Sequence, residues 1–336
     1  MSHARAIRKS FGGAAQRRFL FAVAARPAFY RRWFDYLDSG IRTRMPQAMR
    51  TELALRPVRP YLRRQFSANV KDRIARRHYR ILDSLLIPAA VVQLRTDHGL
   101  TLAQFSGRNG RTYRLTVKGI PQPEGEVTIQ LIDEHRGEPL AWLWGSFGPD
   151  GSHGTVFWVG ALQGPRPPSG LIEIADATRD LHGLRPKQAV LHGLDALCTL
   201  LGAGAIYAPG NGNHISQTWE RRFLGAPLKV RADLDAFWRD FTTERSAIGD
   251  YCISVPLRRR SIDQVQGKRR KEWRLRYEIV DGINAQVAAN LAVAMPRESE
   301  ELSLLGERTM PAVRDAEIWP SQEFILSGGI PDPVPA

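Results

Sequence analysis

The strongest candidate for chemistry in this 336-residue chain is a basic turn, HGLRPK, at residues 182–187. Arg185 and Lys187 flank Pro186, and proline is favoured in the first turn of a helix. The free backbone N–H groups of a helix start attract anions. The sequence therefore predicts that Arg185 and Lys187 hold a phosphate or carboxylate. The alternative is that Gly183 ends one helix, Pro186 begins the next, and both cations are solvated.

Polar residues follow two strand-like segments on either side of this turn. Gln163 follows the apolar segment 156–162, and the loop Asn-Gly-Asn-His follows the short segment 205–208. Two strands joined by crossover helices form a parallel βαβ unit, and ligands bind at the carboxyl ends of such strands. We therefore expect one ligand site at these turns. The predicted ligand-binding residues are Gln163, His182, Arg185, Lys187, Asn211, Asn213 and His214.

The residues at this predicted site do not specify a reaction. His214 has the chemistry of an acid or base, but Asn and Gly are also ordinary turn formers. His182 and His192 have no Cys, Asp or Glu at metal-ligand spacing, so no metal site is predicted. The chain contains no nucleophile elbow, P-loop or HExxH motif, and no catalytic residue is assigned. Two distant cysteines, Cys198 and Cys252, indicate a reducing compartment, the cytoplasm.

The positive charge is concentrated at the N-terminal end. The formal net charge is +14, and residues 1–80 carry 20 Lys and Arg against 4 Asp and Glu. The rest of the chain is therefore slightly acidic. A segment this basic favours an anionic partner, such as a membrane surface or, as a weaker alternative, nucleic acid. A solvated basic face is the remaining interpretation.

Two basic segments have the composition that binds phosphate groups of lipids or nucleic acids. The first precedes Phe19, Leu20 and Val23, a pattern that favours an interfacial helix. The second lies in KRRKEWRLR (268–276), where a solvated helix face or pairing with the acidic C-terminal tail is an equal alternative. The predicted anion or membrane patch comprises Arg17, Arg18, Lys268, Arg269, Arg270 and Lys271. No apolar run is long enough to span a membrane, so attachment to the inner membrane would be peripheral.

The apolar patterns predict an α+β fold with a mixed β-sheet, flanking helices and a long C-terminal helix. Residues 1–15 are expected to be disordered, 16–88 to form a basic helical region, 89–292 an α+β core, and 293–336 a loosely packed or disordered tail. Short hairpins between strands predict antiparallel pairing before the βαβ unit. The strand-like segments are 90–94, 102–105, 113–117, 127–131, 140–147, 155–162, 205–208 and 251–256, and the long helix is 263–292.

Several of these motifs, in this order, resemble the VirK/YbjX family of bacterial proteins over roughly residues 50–290. The resemblance implies a role in virulence, resistance to host antimicrobial peptides and stress responses of Gram-negative bacteria. It implies no biochemical activity, no catalytic residue and no particular protein partner. The matching segments are RPVRPYL (56–62), His78-Tyr79, Glu124-Gly125-Glu126, Leu162-Gln163-Gly164, HGLRPK (182–187), Asn211, Asn213-His214, Asp233 and Asp235 with Phe237-Trp238, and KRRKEWRLRY (268–277).

A strand followed by a basic turn at a helix start is also similar to the acyl-CoA site of GNAT-type acyltransferases. In those enzymes backbone amides hold the pyrophosphate of the cofactor. Here the strict glycine-rich loop is missing, and an extra helix follows the strand. Arg179, Gly183 and Arg185 imitate the loop only loosely. No cofactor is predicted for the principal hypothesis, an anion-binding protein, whereas this alternative requires acyl-CoA and an open pocket between the strand ends.

Overall fold

Seven strands lie side by side in sequence order in the computed structural model, which describes residues 2–38, 47–151, 154–165, 169–215, 233–265, 267 and 269–295. The strands are β1 (Leu100–Ser106), β2 (Thr112–Lys118), β3 (Val127–Asp133), β4 (Glu138–Pro149), β5 (Thr155–Gln163), β6 (Ala205–Ala208) and β7 (Tyr251–Ser254). β5 and β6 are parallel, and the other neighbouring pairs are antiparallel. The predicted mixed sheet and βαβ unit are confirmed.

Helices flank the sheet before, within and after the strand series. They are α1 (Ser2–Ala25), α2 (Pro27–Asp38), α3 (Gln47–Ala54), α4 (Ala68–Leu85), α5 (Pro88–Leu94), α6 (Ser169–Asp180), α7 (Pro186–Leu200), α8 (Leu234–Arg239) and α9 (Arg269–Ala294). A 3₁₀ turn at Ile262–Gln264 occupies the first part of the long helix that was expected over 263–292. The predicted α+β class is confirmed.

The sheet packs on helices mainly through one apolar face, whereas on the opposite face Val156 and Trp158 of β5 join a smaller second core with Val70 and Ile74 of α4. On β2, Leu115 and Val117 are buried in the main core. The core is completed by helices packed across the strands: α4 contacts β4, α7 contacts β3 and β4, and α9 contacts β1. Because side chains alternate along a strand, Thr116 and Lys118 on β2 point to the opposite face. The two faces therefore differ in the polarity of their side chains and in how far helices cover them.

Two sequence expectations about local structure are wrong. Within the segment 1–15, expected to be disordered, residues 2–15 belong to α1, because Ala4 and Ile7 lie one turn apart and are buried in the core where α1 packs on α2 and α3. Segment 90–94, expected to be a strand, lies within α5, because Pro88 begins a helix there and its apolar residues are buried on one side. The loose packing predicted for the tail, apart from residues 293–295, lies outside the described residues.

Candidate functional site

The HGLRPK turn separates α6 from α7 by a left-handed bend. His182 and Gly183 have φ angles of +52° and +79°, and the Gly183 N–H donates to the Thr178 carbonyl over 2.7 Å. Arg185 caps α7, and its backbone N–H donates to Oε1 of Gln188 over 3.2 Å. Gly183 therefore terminates the first helix and Pro186 starts the second, as the sequence indicates.

Helix α9 meets this turn through Arg276. Its Nε donates to the carbonyl of His182 over 3.2 Å, although the two residues are 94 positions apart. A Cβ atom at Gly183 would lie only 2.3 Å from Nη2 of Arg276, so a side chain there would displace the guanidinium. The backbone of His182, and not its imidazole, makes this contact. The fold therefore joins HGLRPK to the basic KRRKEWRLR segment at a place we call the basic corner: Arg185, Lys187 and Arg276.

At the basic corner the positive charges of Arg185 and Arg276 repel each other, whereas no charged group contributes to the pKa shift of Lys187. Burial lowers the pKa of Arg276; Glu272 opposes this shift, whereas nearby Arg185 lowers the pKa further. Burial alone lowers the pKa of Lys187. Within the described part of the chain, no carboxylate forms an ion pair with Arg185 or Lys187. A half-buried ammonium without a counter-ion is held at a cost, which a bound anion would offset.

Lys187 also connects the turn with the end of β5. A Cβ atom at Gly164 would lie 3.9 Å from Cε of Lys187, so the lysine stem passes beside the turn that follows Gln163. Gln163 itself is exposed at the last position of β5. The structure thus brings Lys187 to the strand end that holds Gln163, while Arg185 remains exposed at the helix start.

Asn211, Asn213 and His214 do not extend from their loop as a polar site. Oδ1 of Asn211 accepts the Leu234 N–H over 3.1 Å, which fixes the start of α8. Nδ2 of Asn213 donates to the Ile248 carbonyl over 2.6 Å and to Oδ1 of Asp250 over 3.2 Å. His214 is 6% exposed. The contacts of Asn211 and Asn213 stabilise their loop, and the backbone of His214 pairs with that of Arg63.

The gap between β5 and β6 is filled by Arg63. The strands pair only from Val156 to Trp158, beyond which they diverge. There the Arg63 guanidinium donates to the carbonyls of Val159 over 2.5 Å and Tyr207 over 3.0 Å. Its Nε lies 2.6 Å from Oδ2 of Asp250, and both side chains are fully buried. Burial raises the pKa of Asp250, although Arg63 opposes the shift. Arg63 and Asp250 therefore lie between the two strands just beyond the point where their pairing stops.

Sequence reasoning missed a second buried charge pair in the same segment. Nε of Arg56 lies 2.9 Å from Oε1 of Glu126, with side-chain exposures of 1% and 0%. Tyr79 donates to Oε2 of Glu126 over 2.6 Å, and the hydroxyls of Tyr61 and Ser146 lie 2.8 Å apart. The sequence signal for this pair is the arginine-rich segment RPVRPYLRR between apolar helices, because an arginine that is buried there needs a buried carboxylate as its counter-ion.

The patch residues are exposed, but the apolar pattern beside them differs from the expectation. Arg17 and Arg18 lie on the surface of α1, whereas Phe19 is 3% exposed and packs against Tyr30 and Phe34. The apolar side chains exposed there are Leu20 and Phe21, at 46% and 77%. At the other patch Arg269, Arg270 and Lys271 are exposed at the start of α9. Lys268 lies outside the described residues.

No cluster of three or more His, Cys, Asp or Glu in the described residues is suited to hold a metal ion. None of their helices is long and apolar enough to cross a membrane.

Comparison with known proteins identifies the family. Residues 10–289 match the family described as "Protein of unknown function (DUF535)". The chain belongs to this family. It is 29% identical over 283 residues to "Uncharacterized protein YbjX" of Escherichia coli (strain K12), covering 84% of this chain and 83% of that protein. It is 25% identical over 123 residues to an "Uncharacterized protein" of Haemophilus influenzae, covering 37% of this chain and 40% of that one. No solved structure matches. The VirK/YbjX resemblance is confirmed.

Proposed function

We propose that this DUF535 protein binds an anionic ligand, through a phosphate or carboxylate group, at the basic corner. The observation that carries the proposal is the contact between α9 and the HGLRPK turn, where Arg276 meets the His182 carbonyl beside Arg185. Arg185 and Arg276 carry like charges close together there. Lys187 has no carboxylate partner among the described residues. An anion at the start of α7 would relieve this repulsion and accept from the helix N-terminus.

The place of this activity in the cell is part of the same proposal. A cytoplasmic protein that recognises an anionic ligand would support envelope or stress defence, as the family resemblance implies. The exposed Arg17 and Arg18, with Leu20 and Phe21 beside them on α1, have the chemistry for peripheral attachment to the inner membrane. Vesicles containing anionic lipid should therefore bind the protein more weakly as salt is raised.

The proposal is tested by titration calorimetry with inorganic pyrophosphate as the probe. Arg185→Ala should weaken binding about tenfold, which is about 1.4 kcal/mol. Arg5→Ala is the matched control, because it removes one exposed positive charge from α1. Equal loss of affinity in both variants would show nonspecific attraction to a basic protein and overturn the proposal. Absence of pyrophosphate binding at low salt would do the same.

An acyl-CoA-dependent acyltransferase is the second candidate. Its support is the divergence of parallel strands β5 and β6 after Trp158, within a sheet whose other pairs are antiparallel. The position of Arg63 between those strands weighs against it. A thermal shift with acyl-CoA that exceeds the shift with pyrophosphate, and is abolished in Arg185→Ala, would reverse this order of preference.

Nucleic-acid binding has the least support. It requires one continuous basic surface from the N-terminal helices to α9. The main packing neighbours of α1 are α2 and α3, whereas those of α9 are β1 and α7. The basic residues of α1 and those of α9 therefore lie on helices that pack against different parts of the fold. This arrangement gives no support for one continuous basic surface.

A further inference from the structure

The face of the sheet that points away from the helix-packed core contains a cleft, which we call the tryptophan cleft. On this face Thr128 of β3 lies opposite Trp144 of β4, and Gln130 lies opposite Trp142. Trp142 in turn lies opposite Gln163 of β5. The cleft has a volume of about 370 Å³, and the loop between β2 and β3 forms one wall. Small-ligand sites have volumes of roughly 300–1,000 Å³.

The two tryptophans of the cleft differ from the buried tryptophans of the protein. The indole N–H groups of Trp33, Trp158 and Trp238 each donate to a backbone carbonyl. No residue in the described ranges accepts a hydrogen bond from Trp142 or Trp144. Their rings are half-buried, with planes 9° apart and centroids separated by 6.4 Å. They therefore provide two nearly parallel apolar surfaces with unused donors at their edges.

The cleft also holds a buried acceptor without a partner. Oε1 of Gln130 is inaccessible to solvent and accepts no hydrogen bond from the residues the structure describes. The hydroxyl of Thr116, the residue opposite Gln130 on β2, is also inaccessible to solvent and has no hydrogen-bond partner among the described residues. Buried polar atoms are nearly always paired, so an unpaired one calls for a water or a ligand. Two exposed amides, Gln122 and Gln163, add further donors and acceptors to the lining.

The charge of the lining restricts the class of ligand. Its two ionisable groups are Lys118 and Glu124, whose charges cancel. A phosphate-bearing ligand or a nucleic-acid strand would require a net positive groove. The favoured ligand is neutral, has flat apolar faces and carries groups that both donate and accept hydrogen bonds. A sugar ring has these properties, because its C–H faces stack on aromatic rings while its hydroxyls pair with amides.

We propose that the tryptophan cleft binds a neutral saccharide. Sugar rings stack on Trp142 and Trp144, and hydroxyl groups exchange hydrogen bonds with Gln122 and Gln163. Rotation of the half-buried Gln130 side chain, which lines the cleft, brings its unpaired Oε1 to a sugar hydroxyl. This site is distinct from the basic corner, although Gln163 ends the strand beside which Lys187 passes. The two sites would then recognise different chemical groups, one neutral and one anionic.

The test is tryptophan fluorescence titration with maltotetraose, cellotetraose and chitotetraose as probes. At least one of them should change the emission with saturation below about 10 mM, as expected for millimolar affinity. Trp142→Ala should weaken that binding at least about tenfold, whereas Trp142→Phe should retain most of it. No binding of any of the three tetrasaccharides at about 10 mM, or binding of adenosine in their place, would overturn the proposal.

A second variant separates binding from folding. Gln130→Leu removes the unpartnered acceptor without changing the size of the side chain much, so the melting temperature should stay the same or rise. Saccharide binding should nevertheless fall about tenfold. Gln93→Leu, at an exposed position on α5, is the matched control and should bind normally. Normal saccharide binding by Gln130→Leu would contradict the assigned role of this side chain.

Discussion

The segment around Arg56 and Arg63 and the basic corner around Arg185 use the same residue types in opposite ways. Arg56-Pro57 and Arg185-Pro186 are the same dipeptide. Arg56 is 1% exposed and lies 2.9 Å from Glu126, whereas Arg185 is exposed and has no carboxylate partner among the described residues. In the first region arginine is held by a buried counter-ion and contributes to the fold. In the second it is available to a ligand.

This difference explains why a shared motif alone does not identify a site. A buried arginine must be compensated by the protein itself, so its loss damages the structure. An exposed arginine without a counter-ion contributes little to stability, so its loss affects binding. Stability and binding measurements should therefore separate the two regions.

The largest expected effect is the loss of Arg63. Arg63→Ala would leave Asp250 buried without its cation and would remove the guanidinium that joins β5 to β6. We expect a loss of about 3–5 kcal/mol in the free energy of unfolding, measured by urea denaturation. Arg64→Ala, at the exposed neighbouring position, should change it by less than about 0.5 kcal/mol.

A paired replacement sharpens this result. Arg63→Met combined with Asp250→Leu removes both buried charges, so it should recover much of the stability lost in Arg63→Ala. Equal stability of Arg63→Ala and the parent protein would show that the buried pair does not hold the diverging strands together. The distinction between the two regions would then fail.

The loss of folding stability at acidic pH should also come from a buried residue, His78. Burial lowers the pKa of His78 to about 3, and its Nδ1 accepts the Phe147 N–H over 3.2 Å. The unfolded chain binds the proton near the ordinary pKa of about 6.5, so stability is full above that pH and falls as pH decreases. Between about pH 6.5 and pH 4 this residue should cost on the order of 3 kcal/mol.

The control for this pH dependence is His78→Gln, which retains an acceptor for the Phe147 N–H but does not titrate. Its free energy of unfolding should be lower near pH 7, because the ring stacked on Phe147 is lost, and should vary less between pH 6.5 and pH 4. The same slope in His78→Gln and the parent protein would assign the acid sensitivity to other groups.

Gly183→Ala tests how the basic corner is assembled. The φ angle of +79° is strained for alanine, and the added Cβ would displace Arg276. We expect about 1–2 kcal/mol of destabilisation from the backbone and a loss of pyrophosphate affinity in calorimetry. Unchanged pyrophosphate binding would mean that the position of Arg276 does not matter to the ligand.

The smallest effect on stability is expected at Lys187. Its half-buried ammonium lacks a carboxylate partner in the described structure, so Lys187→Met should leave the melting temperature unchanged or raise it slightly. Pyrophosphate binding should weaken at the same time. A clear loss of stability in Lys187→Met would show that this side chain is structural and would move it into the same class as Arg63.

Local patterns predicted most of the elements that hold the site. The turn residues that separate successive strands from β1 to β5 predict the hairpins, and Pro186 predicts the start of α7. The pattern failed at segment 90–94, because a short apolar run is compatible with a buried strand or a buried helix turn. The tryptophan cleft had a visible signal in Trp142 and Trp144, which alternate with the core residue Leu143.

The buried charge pairs could not be predicted from local sequence. Arg63 and Asp250 are 187 positions apart, so their contact depends on the completed sheet. The contact between Arg276 and His182, which forms the basic corner from two distant motifs, also depends on the completed fold, because the two residues are 94 positions apart. The groups that the amides of Asn211 and Asn213 bind, at Leu234 and Asp250, are likewise distant in the chain.

The most direct test of the central claim is NMR mapping of pyrophosphate binding on the full chain. We expect the largest chemical-shift changes at the Lys187 amide and the Nε–H groups of Arg185 and Arg276, with saturation at one site. Changes confined to α1, or spread evenly over the exposed arginines, would contradict the proposed role of the basic corner.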